Sequence, residues 1–284
     1  MDFQKATDCY TLSNGVKVPC IGYGTFQMAN GGDTADAICA AIAAGYRHID
    51  TAQTYGNEES VGAALKKCGV ARKDLFITSK LGNQDHGYEA TRKAFENTLR
   101  ALGTDYLDLY LIHWPNPVAS RASWAQANAG SWKAMEEFYS QGKIRAIGVS
   151  NFFPRHLAPL FDSAKILPMV NQISLSPGQA QPELCAYSRE HGMLLEAYSP
   201  LGQGSMLQVP DMLRLSEKYG RSTAQICVRW SLQMGFLPLP KSTSSQRMAQ
   251  NIDVFDFAIS GEDMALISGI QRESTVRDPD KITF

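Results

Sequence analysis

The chain has 284 residues, of which 44% are hydrophobic and 19% charged, a composition typical of a globular protein with a sizeable core. Its 27 basic and 28 acidic residues give a net charge of −1, which argues against a nucleic-acid or membrane-surface partner. The opening MDFQKATDCYTLSNG does not resemble a signal peptide, and no run of 18 apolar residues predicts a membrane span. We therefore expect a cytoplasmic protein.

Six cysteines are scattered along the chain without a CxxC pair. In a chain of this length, such spacing indicates neither a disulfide framework nor a zinc site. We therefore expect buried, reduced thiols and no metal. The cysteines are Cys9, Cys20, Cys39, Cys68, Cys185 and Cys227.

Eight short apolar runs predict β-strands. They are rich in Val, Ile, Leu and Tyr and are almost continuously hydrophobic, as parallel strands buried on both faces are. The runs span residues 21–25, 48–52, 75–81, 107–113, 146–151, 169–173, 194–200 and 236–242.

Helical segments lie between these runs, and most of them end at a glycine suited to a helix C-terminus. They span residues 34–44, 58–68, 88–102, 131–141, 183–191, 211–219, 223–234 and 261–270. A β-hairpin centred on Asn14 and Gly15, at residues 10–18, precedes the alternating strands and helices. If the strands close into a barrel, this hairpin is expected to cover its bottom.

Eight strands that alternate with helices, without a linker, predict an α/β fold: a single (β/α)₈ TIM-barrel domain spanning residues 1–284. An open doubly wound sheet usually has fewer strands and a GxGxxG turn, and no such turn follows the first strand. In a (β/α)₈ barrel the active site lies at the C-terminal ends of the strands. We expect the long loop at residues 114–130 and the tail at residues 271–284 to lie near that end.

Polar residues recur at the predicted C-terminal ends of the strands. Burying a polar side chain there costs desolvation free energy unless it is paired or has a functional role. A single such residue is common, but several at the same end of the sheet indicate a functional site. The six are Asp50, Lys80, His113, Asn151, Gln172 and Lys241.

The motif DTAQTYGNE, residues 50–58, places Tyr55 above the barrel mouth. Tyrosine has a reference pKa of about 10, too high for efficient proton donation near neutrality. Lys80, held charged by Asp50, would lower the pKa of Tyr55, and His113 would direct a substrate carbonyl oxygen toward the phenol. The structural alternative is an Asp50–Lys80 ion pair beside a core histidine, but four such residues on one rim favour catalysis.

Several motifs in this order resemble the aldo-keto reductase family over nearly the whole chain, in particular bacterial carbonyl reductases of the 2,5-diketo-gluconate reductase type. The resemblance implies a monomeric oxidoreductase that reduces aldehydes or ketones with NADPH, with Asp50, Tyr55, Lys80 and His113 as catalytic tetrad and Tyr55 as general acid. The motifs are DTAQTYGNE, ITSKL with Lys80, HWP at 113–115, GVSNF at 148–152, NQI at 171–173, YSPLG at 198–202 and KSTSSQRMAQN at 241–251.

The resemblance also implies how NADPH lies in the barrel mouth. Two cations with serines before a short helix independently suit a phosphate, which favours NADPH over NADH. The implied nicotinamide contacts are Gly24, Thr25, Asp50, Ser150, Asn151 and Gln172, with Tyr198 stacked on the ring. The implied pyrophosphate, 2′-phosphate and adenine contacts are Ser199, Leu201, Gln203, Lys241, Ser242, Thr243, Ser244, Arg247 and Asn251.

Two positions depart from the family pattern. Gly82 stands where the family commonly has Trp, which predicts a wider substrate pocket, and Gln250 stands where it often has Glu. The partner is expected to be a small carbonyl compound. Its expected contacts are Phe26, Tyr55, His113, Trp114 and Trp124.

Two other functions fit these residues. A cofactor-binding redox-sensing or regulatory protein could keep the same fold, and would bind the cofactor without turning over simple aldehydes. A Schiff-base aldolase would use Lys80 as a nucleophile, but Asp50 is expected to keep that amine charged and poorly nucleophilic.

Overall fold

The computed structural model describes residues 3–284, and its central feature is a sheet of eight parallel strands in chain order. Each strand is hydrogen-bonded to the next one along the chain. The strands are β3 (Tyr23–Gly24), β4 (His48–Asp50), β5 (Phe76–Leu81), β6 (Leu109–Ile112), β7 (Ile147–Ser150), β8 (Val170–Ser174), β9 (Leu194–Tyr198) and β10 (Leu237–Leu239).

Two backbone hydrogen bonds close this sheet into a barrel. The N–H of Gly22 donates to the carbonyl of Pro238 over 3.0 Å, and the N–H of Gly24 donates to the carbonyl of Pro240 over 3.1 Å. A Cβ at Gly22 would lie 2.5 Å from Leu239 Cδ2, so glycine permits the close approach of the two strands. The predicted (β/α)₈ barrel is confirmed.

Helices follow the strands, as short returns to a parallel sheet require. They are α1 (Gly32–Ala43), α2 (Glu58–Lys67), α3 (Tyr88–Leu102), α4 (Trp124–Ser140), α5 (Pro154–Ser163), α6 (Pro182–Glu190), α7 (Pro210–Tyr219), α8 (Thr223–Gln233), α9 (Ser245–Ile252) and α10 (Gly261–Ser268). Helix α4 begins well before the predicted residue 131, so the predicted long loop is shorter than expected. Helix α5 was not predicted; it contains Pro159, a residue that usually interrupts helices.

The N-terminal hairpin lies at the bottom of the barrel, as predicted. Its strands, β1 (Cys9–Thr11) and β2 (Lys17–Pro19), are antiparallel. The buried phenol of Tyr10 donates to the carbonyl of Phe236 over 3.0 Å, and Phe236 directly precedes β10. The hairpin therefore covers the end at which the strands begin.

The barrel interior and the layer between strands and helices form the core, and strands β4 to β8 are buried along their whole length. All six cysteines are free. Burial was expected for each of them, but Cys9, Cys39 and Cys68 are only half-buried. Within residues 3–284, no helix has the length and apolar character needed to cross a bilayer.

Candidate active site

A cleft of about 1150 Å³ opens at the C-terminal ends of the strands. Its walls come from strand ends, from the turns after β4, β5 and β9, from α9 and from the C-terminal tail. This is the end of a (β/α)₈ barrel on which active sites are built.

Lys80 lies under the cleft, on β5, with its side chain fully buried. Its Nζ donates to Asp50 Oδ1 over 2.7 Å and to the carbonyl of Thr51 over 2.8 Å. Burial alone would lower the pKa of Lys80, but the neighbouring Asp50 carboxylate, and after it the phenol oxygen of Tyr55, outweigh this effect, so that the pKa is raised. Lys80 is therefore a fixed ammonium ion, as the sequence predicted.

Tyr55 lies above this ion pair. The short 3₁₀ turn Gln53–Tyr55 after β4 carries it over the barrel mouth, where Lys80 Nζ donates to the phenol oxygen over 3.4 Å. Burial raises the pKa of Tyr55, Asp50 adds to this rise, and Lys80 opposes it. The expected lowering by the ammonium is present, but the net direction is the reverse of the expectation because burial outweighs it.

His113 follows β6 and faces Tyr55, with the ring centroids 5.7 Å apart. Its Nδ1 lies 3.2 Å from the hydroxyl of Thr54. Burial, and then the charge of Lys80, hold the pKa of His113 well below its usual range, so the imidazole is neutral near pH 7. All four residues of the predicted tetrad therefore meet at the cleft floor.

Gln172 links this group to a second carboxylate. Its Nε2 donates to Asp50 Oδ2 over 2.8 Å and to Glu196 Oε2 over 2.8 Å, which uses both amide hydrogens. Glu196 is fully buried on β9, and burial, followed by the charge of Asp50, raises its pKa to about 8. Sequence reasoning missed Glu196, although a charged residue inside the apolar run LLEAY was a usable signal.

Asn151, directly after β7, connects two neighbouring residues of the cleft, His113 and Tyr198, through hydrogen bonds. Its Nδ2 donates to the carbonyl of His113 over 3.0 Å, and its Oδ1 accepts from Tyr198 over 2.8 Å. The backbone of Asn151 is left-handed, with φ of 61°, a conformation that asparagine tolerates better than most residues. The neighbouring hydroxyl of Ser150 donates to the carbonyl of Gln172 over 2.8 Å.

A cationic corner lies at the other end of the cleft, after β10. Lys241 and Arg247 are both exposed there, and Arg247 Nε donates to Ser242 Oγ over 3.2 Å. Ser244 caps α9 by accepting from the N–H of Arg247. No carboxylate of residues 3–284 forms an ion pair with Lys241 or Arg247. Two free cations at a helix N-terminus suit a phosphate.

Most predicted contact residues line the cleft, but three do not. Thr25 is fully buried, with its hydroxyl donating to the carbonyl of Asp50 over 3.0 Å, and Ser244 is occupied in capping α9. Trp124, predicted as a substrate wall, begins α4 and packs edge-on against His156 at 5.3 Å. Those that line the cleft are Gly24, Phe26, Asp50, Tyr55, His113, Trp114, Ser150, Asn151, Gln172, Tyr198, Ser199, Leu201, Gln203, Lys241, Ser242, Thr243, Arg247 and Asn251.

Gly82 lines the cleft beside two polar side chains. Its N–H donates to Gln53 Oε1 over 2.9 Å, and Gln53 Nε2 donates to Asp85 Oδ2 over 2.8 Å. A Cβ at Gly82 would lie 2.9 Å from Gln53 Oε1. The side chains of Gln53 and Asp85 therefore form a polar wall beside Tyr55, and neither residue was predicted.

The C-terminal tail completes the cleft. Phe284 packs edge-on against Trp114 with centroids 5.5 Å apart, and its carbonyl accepts from the N–H of Val118 over 3.2 Å. Asp280 fixes the tail by accepting from Asn116 over 2.8 Å and from Arg155 over 2.6 Å. The expected position of the tail near the top of the barrel is confirmed.

Comparison with known proteins agrees with this fold and site. The profile of the Aldo/keto reductase family matches residues 20–272. Glyoxal reductase of Bacillus subtilis is 46% identical over 278 residues, with 98% of each chain covered. An aldo/keto reductase structure from Brucella melitensis has a TM-score of 0.88 at 42% identity and covers 94% of this chain and 98% of that one.

A ligand-bound structure has the same architecture. The aldo-keto reductase of Bombyx mori in complex with NADP has a TM-score of 0.84 at 35% identity, covering 94% of this chain and 92% of that one. Identities of this size over nearly complete chains establish more than a shared fold. The chain belongs to the aldo/keto reductase family.

Proposed function

We propose that this protein reduces aldehydes or ketones to alcohols with NADPH as the reductant. The observation that carries the proposal is the position of Lys80 Nζ, within hydrogen-bonding distance of both Asp50 and Tyr55 under a large cleft. The Bacillus subtilis relative named glyoxal reductase supports the same reaction class.

The donor set of the cleft fits NADPH. The unpaired cations Lys241 and Arg247 would hold the 2′-phosphate, a group that NADH lacks. Gln172 donates both amide hydrogens to the carboxyl groups of Asp50 and Glu196, so its carbonyl oxygen is left as an acceptor for the carboxamide of the nicotinamide. Tyr198, which lines the same region, would cover the ring. The NADP complex of the Bombyx mori relative is consistent with this reading.

When bound, NADPH supplies a hydride to the carbonyl carbon of the substrate. Tyr55 donates its phenolic proton to the carbonyl oxygen, so the product is the alcohol. The resulting phenolate accepts a hydrogen bond from Lys80, whose charge opposes the cost of holding the anion in a buried position. Bulk solvent then restores the proton at Tyr55.

His113 orients the carbonyl oxygen. Because its pKa is depressed, it is neutral and donates through one ring nitrogen only. Its Nδ1 is within reach of the hydroxyl of Thr54, which leaves Nε2–H for the substrate oxygen. His113 thus acts as a neutral hydrogen-bond donor, and Tyr55 supplies the proton.

A carbonyl panel tests the proposal. Glyoxal, methylglyoxal and benzaldehyde are offered with NADPH and separately with NADH, and cofactor absorbance is followed. We expect turnover with NADPH, and weaker activity with NADH at equal concentration. Tight NADPH binding, measured by quenching of tryptophan fluorescence, without turnover of any carbonyl would instead support a redox-sensing role.

A further inference from the structure

The cationic corner is carried by a largely exposed segment, residues 241–247, which follows β10 and includes the first turn of α9. Within this segment only Ser242 is buried. The next buried residue along the chain is Met248, in α9. The positions of Lys241 and Arg247 therefore depend on how Ser242 and Met248 are attached to the barrel.

Ser242 is attached to the barrel through the phenol of Tyr23. Tyr23 lies buried on β3, and its hydroxyl donates to the carbonyl of Ser242. The other contact of this hydroxyl, with Met28 Sδ at 3.6 Å, involves only a weak acceptor. The Oγ of Ser242 accepts from Arg247 Nε over 3.2 Å. One serine thus links a buried phenol on the first strand of the barrel to a guanidinium in the cleft.

Met248 is attached in the same way. Tyr46, which is buried just before β4, donates to the carbonyl of Met248 over 3.4 Å. The rings of Tyr23 and Tyr46 pack edge-on, with centroids 5.6 Å apart. The two phenols therefore form one buried unit, and each of them holds one end of the segment that carries the cations.

Neither hydroxyl has a role in the proposed reaction, and neither tyrosine lines the cleft. Burial raises the pKa of Tyr23 and the pKa of Tyr46, so both phenols stay protonated and remain donors near neutral pH. Their acceptors lie 219 and 202 residues away along the chain. Bonds between such distant residues fix the segment relative to the barrel, which no local turn can do.

We propose that Tyr23 is a positioning residue for the 2′-phosphate of the cofactor: it holds the carbonyl of Ser242, and through Ser242 it sets where Arg247 meets that phosphate. The inference rests on the proposed use of NADPH. Ordering a loose segment costs conformational entropy, so donors that are already aligned bind a phosphate more tightly. A ligand without the 2′-phosphate gains little from this alignment.

The experiment measures binding rather than turnover, with two fragments of the cofactor. Adenosine 2′,5′-bisphosphate and adenosine 5′-phosphate differ only in the 2′-phosphate. Their Kd values are measured by calorimetry for the wild type and for Tyr23→Phe. We expect the Kd of the bisphosphate to rise roughly fivefold, as the loss of one neutral hydrogen bond predicts, and that of the monophosphate to stay within about twofold.

Tyr10→Phe is the matched control. Tyr10 is also a buried phenol, and it donates to the carbonyl of Phe236, just before β10, at the bottom of the barrel. We expect Tyr10→Phe to lower the free energy of unfolding, as Tyr23→Phe does, and to leave the ratio of the two Kd values unchanged. A purely structural role of Tyr23 would change stability in both variants and the ratio in neither.

The double variant Tyr23→Phe/Arg247→Ala tests the route through Ser242. Because both changes act on the same phosphate contact, its loss of affinity for the bisphosphate is expected to be smaller than the product of the two single losses. Tyr46→Phe, which loses the longer bond to Met248, is expected to change the ratio in the same direction but less. It keeps the inference testable if Tyr23→Phe does not fold.

A ratio of Kd values that is unchanged in Tyr23→Phe, or that changes as much in Tyr10→Phe, overturns the proposal. If Tyr23→Phe does not fold, an unchanged ratio in Tyr46→Phe does the same. A double variant that shows the full product of the single losses overturns the route through Ser242 and Arg247. A wild type that binds both fragments equally contradicts the proposed NADPH site instead, so the two failures are distinguishable.

Discussion

Lys80 Nζ lies 3.4 Å from the phenol oxygen of Tyr55, close enough to donate a hydrogen bond but longer than its 2.7 Å contact with Asp50. The ammonium is thus held mainly by the carboxylate and shared with the phenol. Partial burial raises the pKa of Tyr55, and Lys80 limits that rise. At this distance, the pKa of Tyr55 depends on the positive charge of Lys80.

Replacing Tyr55 by phenylalanine removes the proposed proton donor and leaves the ring. We expect kcat for aldehyde reduction to fall by about 10²–10⁴, the usual contribution of general acid catalysis, with NADPH affinity retained. Single-turnover rates and fluorescence titration measure the two effects. Tyr88→Phe, which loses a hydroxyl bound to Glu137 outside the cleft, serves as the control. Reduction by Tyr55→Phe at the wild-type rate would exclude Tyr55 as the acid.

Arg247→Ala tests the cationic corner. Removing one of two cations next to the proposed 2′-phosphate is expected to weaken NADPH by roughly 1.5–3 kcal/mol, and to leave NADH nearly unchanged. Equilibrium binding of both cofactors to the wild type and the variant is the measurement. Arg214→Ala, on the exposed face of α7, is a control of the same chemistry. A similar loss for both cofactors would remove the argument for NADPH from this corner.

Glu196 makes a prediction about pH and stability. Burial raises its pKa from 4.5 to about 8, so between these values the folded protein holds a proton that the unfolded chain has released. The stability from this group is therefore complete below pH 4.5 and is lost as the pH rises through about 8. Glu196→Gln has no titrating group at this position, so it lacks this pH dependence.

We accordingly expect the free energy of unfolding of Glu196→Gln to increase relative to that of the wild type as the pH rises, by about 4 kcal/mol between about pH 5 and about pH 9. Urea denaturation at both pH values measures it. Glu190→Gln, at the exposed end of α6, controls for a general charge effect. A pH-independent difference would show that Glu196 is ionised throughout.

Gly82→Ala probes the polar wall. Its new Cβ would lie 2.9 Å from Gln53 Oε1 and must displace that side chain. We expect a loss of about 1 kcal/mol in stability and a changed KM for carbonyl substrates. In the double variant with Gln53→Ala the contact with Gln53 is removed and only that with Asp85 Oδ2, at 3.0 Å, remains, so the two effects should not fully add. Strict additivity would mean that Gln53 does not occupy the space beside Gly82.

The fold was predictable because parallel strands buried on both faces appear in the sequence as continuous apolar runs. The rule that active sites lie at the C-terminal ends of such strands then placed Asp50, Lys80 and His113 on one rim. Local patterns were less informative where proline intervened. Pro159 lies inside α5, so the sequence of that helix resembles a break.

Parts of the site depend on tertiary contacts that no sequence pattern shows. The tail has no periodicity, and its position comes from Asp280, whose partners Asn116 and Arg155 are far away in the sequence. Likewise, Gln53 fills the space beside Gly82 through a hydrogen bond that no sequence spacing predicts. Cleft residues that are held by such distant contacts are therefore the least predictable part of this protein.

The seam between Gly22 and Pro238 has a consequence for biosynthesis. The strand made near the start of translation finds its second neighbour only when β10 has been synthesised, and the partners of that pair are far apart in the chain. Until then, Gly24 and the residues after β10 cannot line the same cleft. A chain that stops before β10 therefore lacks both the last strand of the barrel and the cationic corner of Lys241 and Arg247, which follows that strand.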